Sequence, residues 1–138
     1  MLQGARLRHA NLQGADLQVV DLRKADLQGA NLQDAKLWGA NLAGADLAGA
    51  QLEGVDFGQA NLAGANLETA NLAGADLHDA KGLIQDQLKM TCSDQETKLP
   101  AGFTPTVCLD IPPCFYGGMW SCDSSPLPPI PCPVRSLR

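Results

Sequence analysis

From Ala5 to Asp79 the chain repeats with a period of five and never loses phase. Each copy reads small, polar, Leu, x, x. The first is Ala5-Arg6-Leu7-Arg8-His9 and the last is Ala75-Asp76-Leu77-His78-Asp79. The small position is Ala except at Val20 and Val55, and the centre is Leu except at Phe57. The register reaches back to Leu2. A structureless Ala/Gly tract has no reason to hold such a phase.

A period of five excludes the usual elements. On an α-helix five residues advance about 500°, so Leu would visit every face. On a flat strand five is odd, so successive Leu would alternate sides. If the chain instead turns about 90° in each repeat, every Ala and Leu points inward. Four repeats then close a coil of about 20 residues, and coils stack about 4.8 Å apart through strand-type hydrogen bonds. Glycine supports the corners. It fills the fifth position at Gly14, Gly29, Gly39, Gly44, Gly49, Gly54, Gly64 and Gly74, where a type II turn needs a positive φ.

The A(D/N)LxG run resembles the pentapeptide-repeat proteins over residues 2 to about 81. The resemblance implies an all-β fold, a right-handed quadrilateral β-helix. About four coils would occupy residues 1–82. The segments AKGLIQDQL and TKLPAGF resemble the exit sequence of family members, where a short helix closes the lower end of the solenoid. A cap is physically required, because a solenoid end exposes unpaired backbone and apolar core. The expected cap helix begins near Ile84, with Leu83, Ile84 and Leu88 on one side. Cap and exit loop take residues 83–98, and an irregular Cys- and Pro-rich tail takes 99–138. The expected core stack is Leu7, Leu27, Leu47 and Leu67; Leu12, Leu32, Leu52 and Leu72; and Leu17, Leu37, Phe57 and Leu77.

Family functions divide between scaffolds or binding modules and DNA-shaped inhibitors or protectors of gyrase. Residues 5 to 84 make a rod of about 19 Å. At 3.4 Å per base pair this matches only about six base pairs. The repeat region to Ala80 has ten acids and five Lys/Arg, so it carries the whole net charge of −5. The signs separate along the axis. Arg6, Arg8, Arg23 and Lys24 cluster in the first coil, whereas Asp46, Glu53 and Asp56 stand without a base in the third. A duplex mimic should be negative along its whole length. The expected function is therefore a non-enzymatic structural or protein-interaction module, with gyrase-directed DNA mimicry as the alternative.

Several surface positions stand out. Asn11, Asn31, Gln51 and Asn71 share one face and are expected to stack as an amide ladder. Trp38 is the one aromatic side chain expected to point out of the repeats. Gly58 below it lets the indole lie flat, over backbone or against a partner. At the N-terminal end Leu2 and Leu7 belong to a core edge with nothing comparable to a cap before it. The candidate interaction residues are Leu2, Arg6, Arg8, Arg23, Lys24 and Trp38. The expected partner is a protein, with homodimerisation or docking into a larger assembly both open. Like charges at the first coil disfavour a head-to-head copy, whereas an acidic partner, or sequence upstream of Met1 in a longer parent, suits it.

No catalytic, cofactor-binding or metal residues are expected. The interior is filled with Ala and Leu, Ser is absent from the repeats, and no cysteine pair is spaced C-x-x-C. No run of about 18 apolar residues could span a membrane, and no direct nucleic-acid binding is expected. Every cysteine lies after residue 80: Cys92, Cys108, Cys114, Cys122 and Cys132. Cys92 and Cys108 bracket SDQETKLPAGFTPTV, and the family's exit segment is often bracketed in the same way, which favours a Cys92–Cys108 disulfide. Such a bond implies an oxidising compartment, a periplasm or lumen. A true start at Met1 without a leader implies the cytoplasm. CFYGGMW suits folding back on the solenoid, and SSPLPPIPCP an extended polyproline form.

Overall fold

A computed structural model describes residues 1–104. The backbone turns at every repeat, so no long strands form. The rungs are single-residue parallel bridges, and four such ladders run the length of the repeats. The first is Arg6–Asp26–Asp46–Asn66 and the second Asn11–Asn31–Gln51–Asn71–Cys92. The third is Asp16–Lys36–Asp56–Asp76–Lys98 and the fourth Asp21–Asn41–Asn61–Lys81. Neighbouring rungs within the repeats are four pentapeptides apart, as the 90° turn requires.

One hydrogen-bond scheme serves every face. The central Leu donates to the rung residue one coil on, as from Leu7 N–H to the Asp26 carbonyl (2.7 Å). The corner residue donates likewise, from His9 N–H to the Gln28 carbonyl (2.8 Å). The rung residue donates the other way, from Asp26 N–H to the Ala5 carbonyl (2.8 Å). Each corner is closed by the next small residue, as when Ala30 N–H donates to the Leu27 carbonyl (3.0 Å). The fifth residue takes the positive φ that a type II turn requires. Glycine is not obligatory there: His9, Val19, Lys24, Asp34, Gln59 and Thr69 adopt φ of 57–60°.

The polar position explains its own composition. Asp26 Oδ1 accepts from Gln28 N–H and Asn31 Oδ1 from Gln33 N–H, two residues on in each case. Asp and Asn reach their own turn in this way, which longer side chains do not. This local bond also corrects the expected amide ladder. Asn11, Asn31 and Asn71 aim Oδ1 at Gln13, Gln33 and Ala73 N–H, and no side-chain bond links Asn11, Asn31, Gln51 and Asn71 to one another among the described residues.

The core is a column of large side chains flanked by alanines. Leu27, Leu47 and Leu67, Leu32, Leu52 and Leu72, and Leu37, Phe57 and Leu77 are all at most 1% exposed. Leu7, Leu12 and Leu17 in the first coil are only partly buried. A fourth column, Leu22, Leu42 and Leu62, is fully buried as well and was missing from the sequence-derived stack. Each enclosed Leu contributes about 1.5–3 kcal/mol relative to an exposed one.

The lower end departs from expectation. The expected short α-helical cap does not form among the described residues. A four-residue 3-10 helix, Gln85–Leu88, stands in its place. Leu83 and Leu88 close on the core, but Ile84 is 58% exposed. Ile84 precedes the helix in extended conformation (φ −125°, ψ 158°), so it cannot share the buried side. The helix is short because the chain soon rejoins the ladders. Leu72 N–H donates to Cys92 (2.6 Å), and Leu77 N–H donates to Lys98 (2.7 Å). Leu99 and Phe103 also pack on the core. The bond expected between Cys92 and Cys108, and the readings of CFYGGMW and SSPLPPIPCP, involve positions outside the described residues.

Candidate interaction surface

The two ends of the solenoid differ in chemistry. At the lower end, residues 81–104 supply substitutes for a further coil. Gln87 Nε2 donates to the carbonyls of Leu62 (2.8 Å) and Ala65 (2.9 Å). Thr97 Oγ1 donates to the Leu72 carbonyl (3.0 Å), and Asp94 Oδ1 accepts from Gly74 N–H (3.0 Å). At the upper end the equivalent groups are bare among the described residues. Within the repeats, Asp26 and Gln28 carbonyls accept from the coil above. The corresponding carbonyls of Arg6, Arg8, Asn11, Gln13, Asp16 and Gln18 accept nothing. Leu2 is 36% exposed on this edge.

The basic character of that edge is weaker than the residue count suggests. Arg8 donates Nε and Nη2 to Asp26 Oδ2 (3.2 and 3.1 Å). Arg23 grips Asp21 through Nε–Oδ1 (2.9 Å) and Nη2–Oδ2 (2.7 Å). The Arg23 side-chain and backbone bonds hold the Asp21 carboxyl down at about 2. Arg8 also helps keep Asp26 below the usual range, after the larger effect of Gln28 N–H. That leaves Arg6 and Lys24 as the first-coil cations without an ion pair among the described residues. Pairing across 18 residues is readable in the sequence once the 20-residue coil is known, because Arg8 then stands beside the Asp26 rung.

Trp38 and Val19 form an apolar spot on the third face. Trp38 is 47% and Val19 70% exposed. A Cβ at Gly58 would sit 2.6 Å from Trp38 Cδ1, so the indole lies directly over that glycine. Val19 Cγ2 stands in the same way over Gly39, 3.5 Å from the corresponding point. Val19 also holds φ +60°, a conformation that β-branched residues rarely adopt.

Near the cap, the third face carries a carboxylate–imidazole cluster. His78 Nδ1 lies 2.8 Å from Asp76 Oδ1, and Nε2 lies 3.1 Å from Asp79 Oδ2. The Asp76 bond, reinforced by the Asp79 charge, raises the His78 pKa. For Asp76 itself burial acts upward, but the bonds from His78 prevail and lower it. A shallow cleft of about 260 Å³ lies between the last repeats and the 3-10 helix, lined by Ala65, Asn66, Leu67, Glu68, Asp86, Gln87 and Met90. Gln87 is committed to the cap there, and no Ser, Cys, His or Lys lines the cleft. Among the described residues no group of three or more His, Cys, Asp or Glu could hold a metal ion. No described helix is long and apolar enough to cross a membrane.

The family description "Pentapeptide repeats" matches residues 2–39, 25–62 and 50–81, in eight copies. The chain therefore belongs to the pentapeptide-repeat family, and its fold is the right-handed β-helix of that family. Among solved structures it is similar to HetL, a pentapeptide repeat protein involved in heterocyst differentiation regulation from the cyanobacterium Nostoc sp. strain PCC 7120. The identity is 31% over 77% of this chain and 49% of HetL, with a TM-score of 0.42. It is also similar to Rfr23 from the cyanobacterium Cyanothece 51142, 35% identical over 65% of this chain and 64% of Rfr23, with a TM-score of 0.41. The plasmid-mediated fluoroquinolone resistance protein QnrB1 is 23% identical over 59% of this chain and 38% of its own, with a TM-score of 0.49. The chain spans about half the length of HetL and less of QnrB1. No curated protein matches it.

Proposed function

We propose that this chain is a non-enzymatic protein-interaction module whose contact surface is the edge of its first coil. The observation that supports the reading is the difference between the two ends. The lower edge is covered by Gln87, Thr97, Cys92 and Lys98. The upper edge carries bare backbone, a half-open row of Leu2, Leu7, Leu12 and Leu17, and the cations Arg6 and Lys24. An exposed β edge over apolar core is a pairing surface by its nature. The two cations favour acidic groups at the contact, on a partner protein or in sequence upstream of Met1.

The experiment compares two charge variants as baits for the same interacting protein. Arg6→Glu with Lys24→Glu alters the edge, whereas Asp46→Asn with Asp56→Asn alters the acidic side faces. Loss of binding in the first variant alone is the expected result. Loss in the second alone would move the contact to a side face. Inhibition of gyrase supercoiling by the purified chain, relieved by the second variant, would replace this reading with duplex mimicry.

A further inference from the structure

The first ladder stops at Asn66, whereas the second and third run on into the exit segment, to Cys92 and Lys98. Inside the repeats a rung on this ladder makes three bonds to the coil above. Asn66 accepts from Leu47 N–H (2.7 Å) and donates to the Ala45 carbonyl (2.9 Å), and Glu68 accepts from Gly49 N–H (2.8 Å). One coil lower the exit segment replaces two of the three. Gln87 Nε2 serves the Ala65 carbonyl (2.9 Å), and the Met90 carbonyl accepts from Thr69 N–H (2.9 Å). Leu88, two residues before Met90, stands where the rung residue would be. Its carbonyl is turned to Thr91, whose N–H and Oγ1 donate to it (3.3 and 2.9 Å). Leu67 N–H, the counterpart of Leu47 N–H, is left without an acceptor among the described residues. The matching donors Leu62, Leu72 and Leu77 N–H are satisfied by Lys81, Cys92 and Lys98.

Leu67 is 1% exposed, and a buried donor without a partner carries its full cost of desolvation. Leu67 also lines the cleft beside the 3-10 helix, so an acceptor can reach it from outside. The other lining groups select that acceptor. Asn66 is spent: Nδ2 donates to Asp46 Oδ1 (3.2 Å), and Oδ1 accepts from Glu68 N–H (3.0 Å). Gln87 is spent on the cap. What remains is the pair of carboxylates on Glu68 and Asp86, beside an apolar wall of Leu67 and Met90. Asp86 gives Oδ1 to Lys89 (3.0 Å) in an exposed ion pair of little strength. Two carboxylates repel an anionic acceptor, so the group for Leu67 N–H is a neutral carbonyl and the group beyond it a cation. The volume of about 260 Å³ is below the range of about 300–1,000 Å³ usual for small-molecule pockets. It suits one side chain better than a cofactor.

We propose that this cleft binds a basic residue of a partner polypeptide. The residue's backbone carbonyl accepts from Leu67 N–H and completes the first ladder. Its methylene stem lies along Leu67 and Met90, and its cation meets Glu68 and Asp86. Arginine suits the site better than lysine, because its planar fork serves both carboxylates at once. The site is independent of the first-coil edge, and either contact stands without the other.

The test uses the full chain and amide-detected nuclear magnetic resonance. Without ligand, Leu67 N–H is expected to exchange with solvent faster than Leu27 and Leu47 N–H, which are bonded and therefore protected. Equal protection would mean that the donor is already satisfied, and would overturn the proposal. The probe is N-acetyl-arginine N-methylamide, one arginine with a carbonyl on each side. It is expected to move the Leu67 resonance downfield in a saturable way and to slow its exchange. The citrulline analogue keeps the length and loses the charge. It should bind about fivefold more weakly, as the loss of two exposed ion pairs implies. Glu68→Gln with Asp86→Asn should abolish the difference between the two probes while leaving the fold intact, since both side chains are exposed. A Leu67 resonance indifferent to the arginine probe would overturn the proposal. So would citrulline binding as well as arginine, which would leave a carbonyl site with no preference for bases. Shifts at Glu68 and Asp86 with Leu67 unmoved would reduce the cleft to surface ion pairing and overturn it as well.

Discussion

Gln87 stands in for a rung of backbone at the foot of the solenoid: its Nε2 lies 2.8 Å from the Leu62 carbonyl and 2.9 Å from that of Ala65. Its Oε1 in turn accepts from Ile84 N–H (2.8 Å). One amide thus serves two repeat carbonyls and the start of the 3-10 helix. Gln87→Leu keeps bulk and removes all three bonds. The expected loss is about 1–3 kcal/mol, the cost of leaving the Ala65 carbonyl unpaired, since the Leu62 carbonyl still accepts from Ala65 N–H. Thermal denaturation followed by circular dichroism checks it, and an unchanged midpoint would show the cap to be held elsewhere.

Gly82 and Gly14 separate two reasons for glycine. Both have positive φ, +74° and +68°. A Cβ at Gly14 meets nothing within 4 Å, whereas one at Gly82 would lie 2.8 Å from Ala63 Cβ and 2.8 Å from Ala63 N. Gly14→Ala should therefore cost only the left-handed backbone penalty, about 1–2 kcal/mol. Gly82→Ala must add displacement of the exit segment from the last coil. Urea midpoints of the two variants should differ clearly, with Gly82→Ala the lower.

Leu47 and Leu2 have the same place in the repeat and opposite surroundings. Leu47 is fully buried, and Leu2 lies on the upper edge at 36% exposure. An aspartate at position 47 finds neither water nor a cation in a core of Leu and Ala, so Leu47→Asp should abolish the cooperative transition. Leu2→Asp keeps access to solvent and should leave the melting midpoint within a few degrees. A similar loss in both would mean that the first coil is held as tightly as the third.

This contrast shows what the sequence made legible. The core columns follow from phase alone, because a strict period of five leaves Ala25, Leu27 and their equivalents no outside to face. The fourth column of Leu22, Leu42 and Leu62 obeys the same rule and needed only the same count. The lower end was not legible, because its bonds depend on which backbone groups the last coil leaves over. Nothing in AKGLIQDQL announces that Gln87 will reach two carbonyls, or that Ile84 will turn outward while Leu83 and Leu88 turn in. On the second face Asn11, Asn31 and Asn71 aim Oδ1 at their own turns instead of forming the expected amide stack. The pairing of Arg8 with Asp26 was not legible at first sight because the two become neighbours only across a whole coil.

Two acid–base pairs should give stability opposite pH dependences. Asp21 is lowered from 3.8 to about 2 by Arg23. Its contribution is present above pH 3.8 and is lost as pH falls toward 2. His78 is raised above 6.5 by Asp76 and Asp79. Its contribution is complete below pH 6.5 and is lost as pH rises through the folded value. His78 is exposed and Asp21 only partly buried, so the effects are small. In urea denaturation repeated across pH, Arg23→Ala should weaken the acid limb and leave the neutral one, whereas His78→Asn should remove the neutral limb and also weaken the acid limb, because His78 helps to hold Asp76 down. A neutral limb that survives His78→Asn would assign it to another group.

Trp38 and Gly58 supply an optical probe of the third face. The indole crosses Gly58 so closely that a Cβ there would sit 2.6 Å from Cδ1 and 3.2 Å from Nε1. Gly58→Val must lift the ring into water. The chain has one further tryptophan, Trp120, so the measurement is made with Trp120→Phe as background. The expected result is a red shift of Trp38 emission and easier quenching by iodide. Stability should change little, because the ring is already 47% exposed and the apolar area it gives up is modest. The same variant also tests the spot as a contact. If a partner held at the first-coil edge also covered Trp38, its addition would shift the background protein's emission to the blue and leave Gly58→Val with weaker binding. Emission that stays constant while the partner binds would confine the contact to the edge.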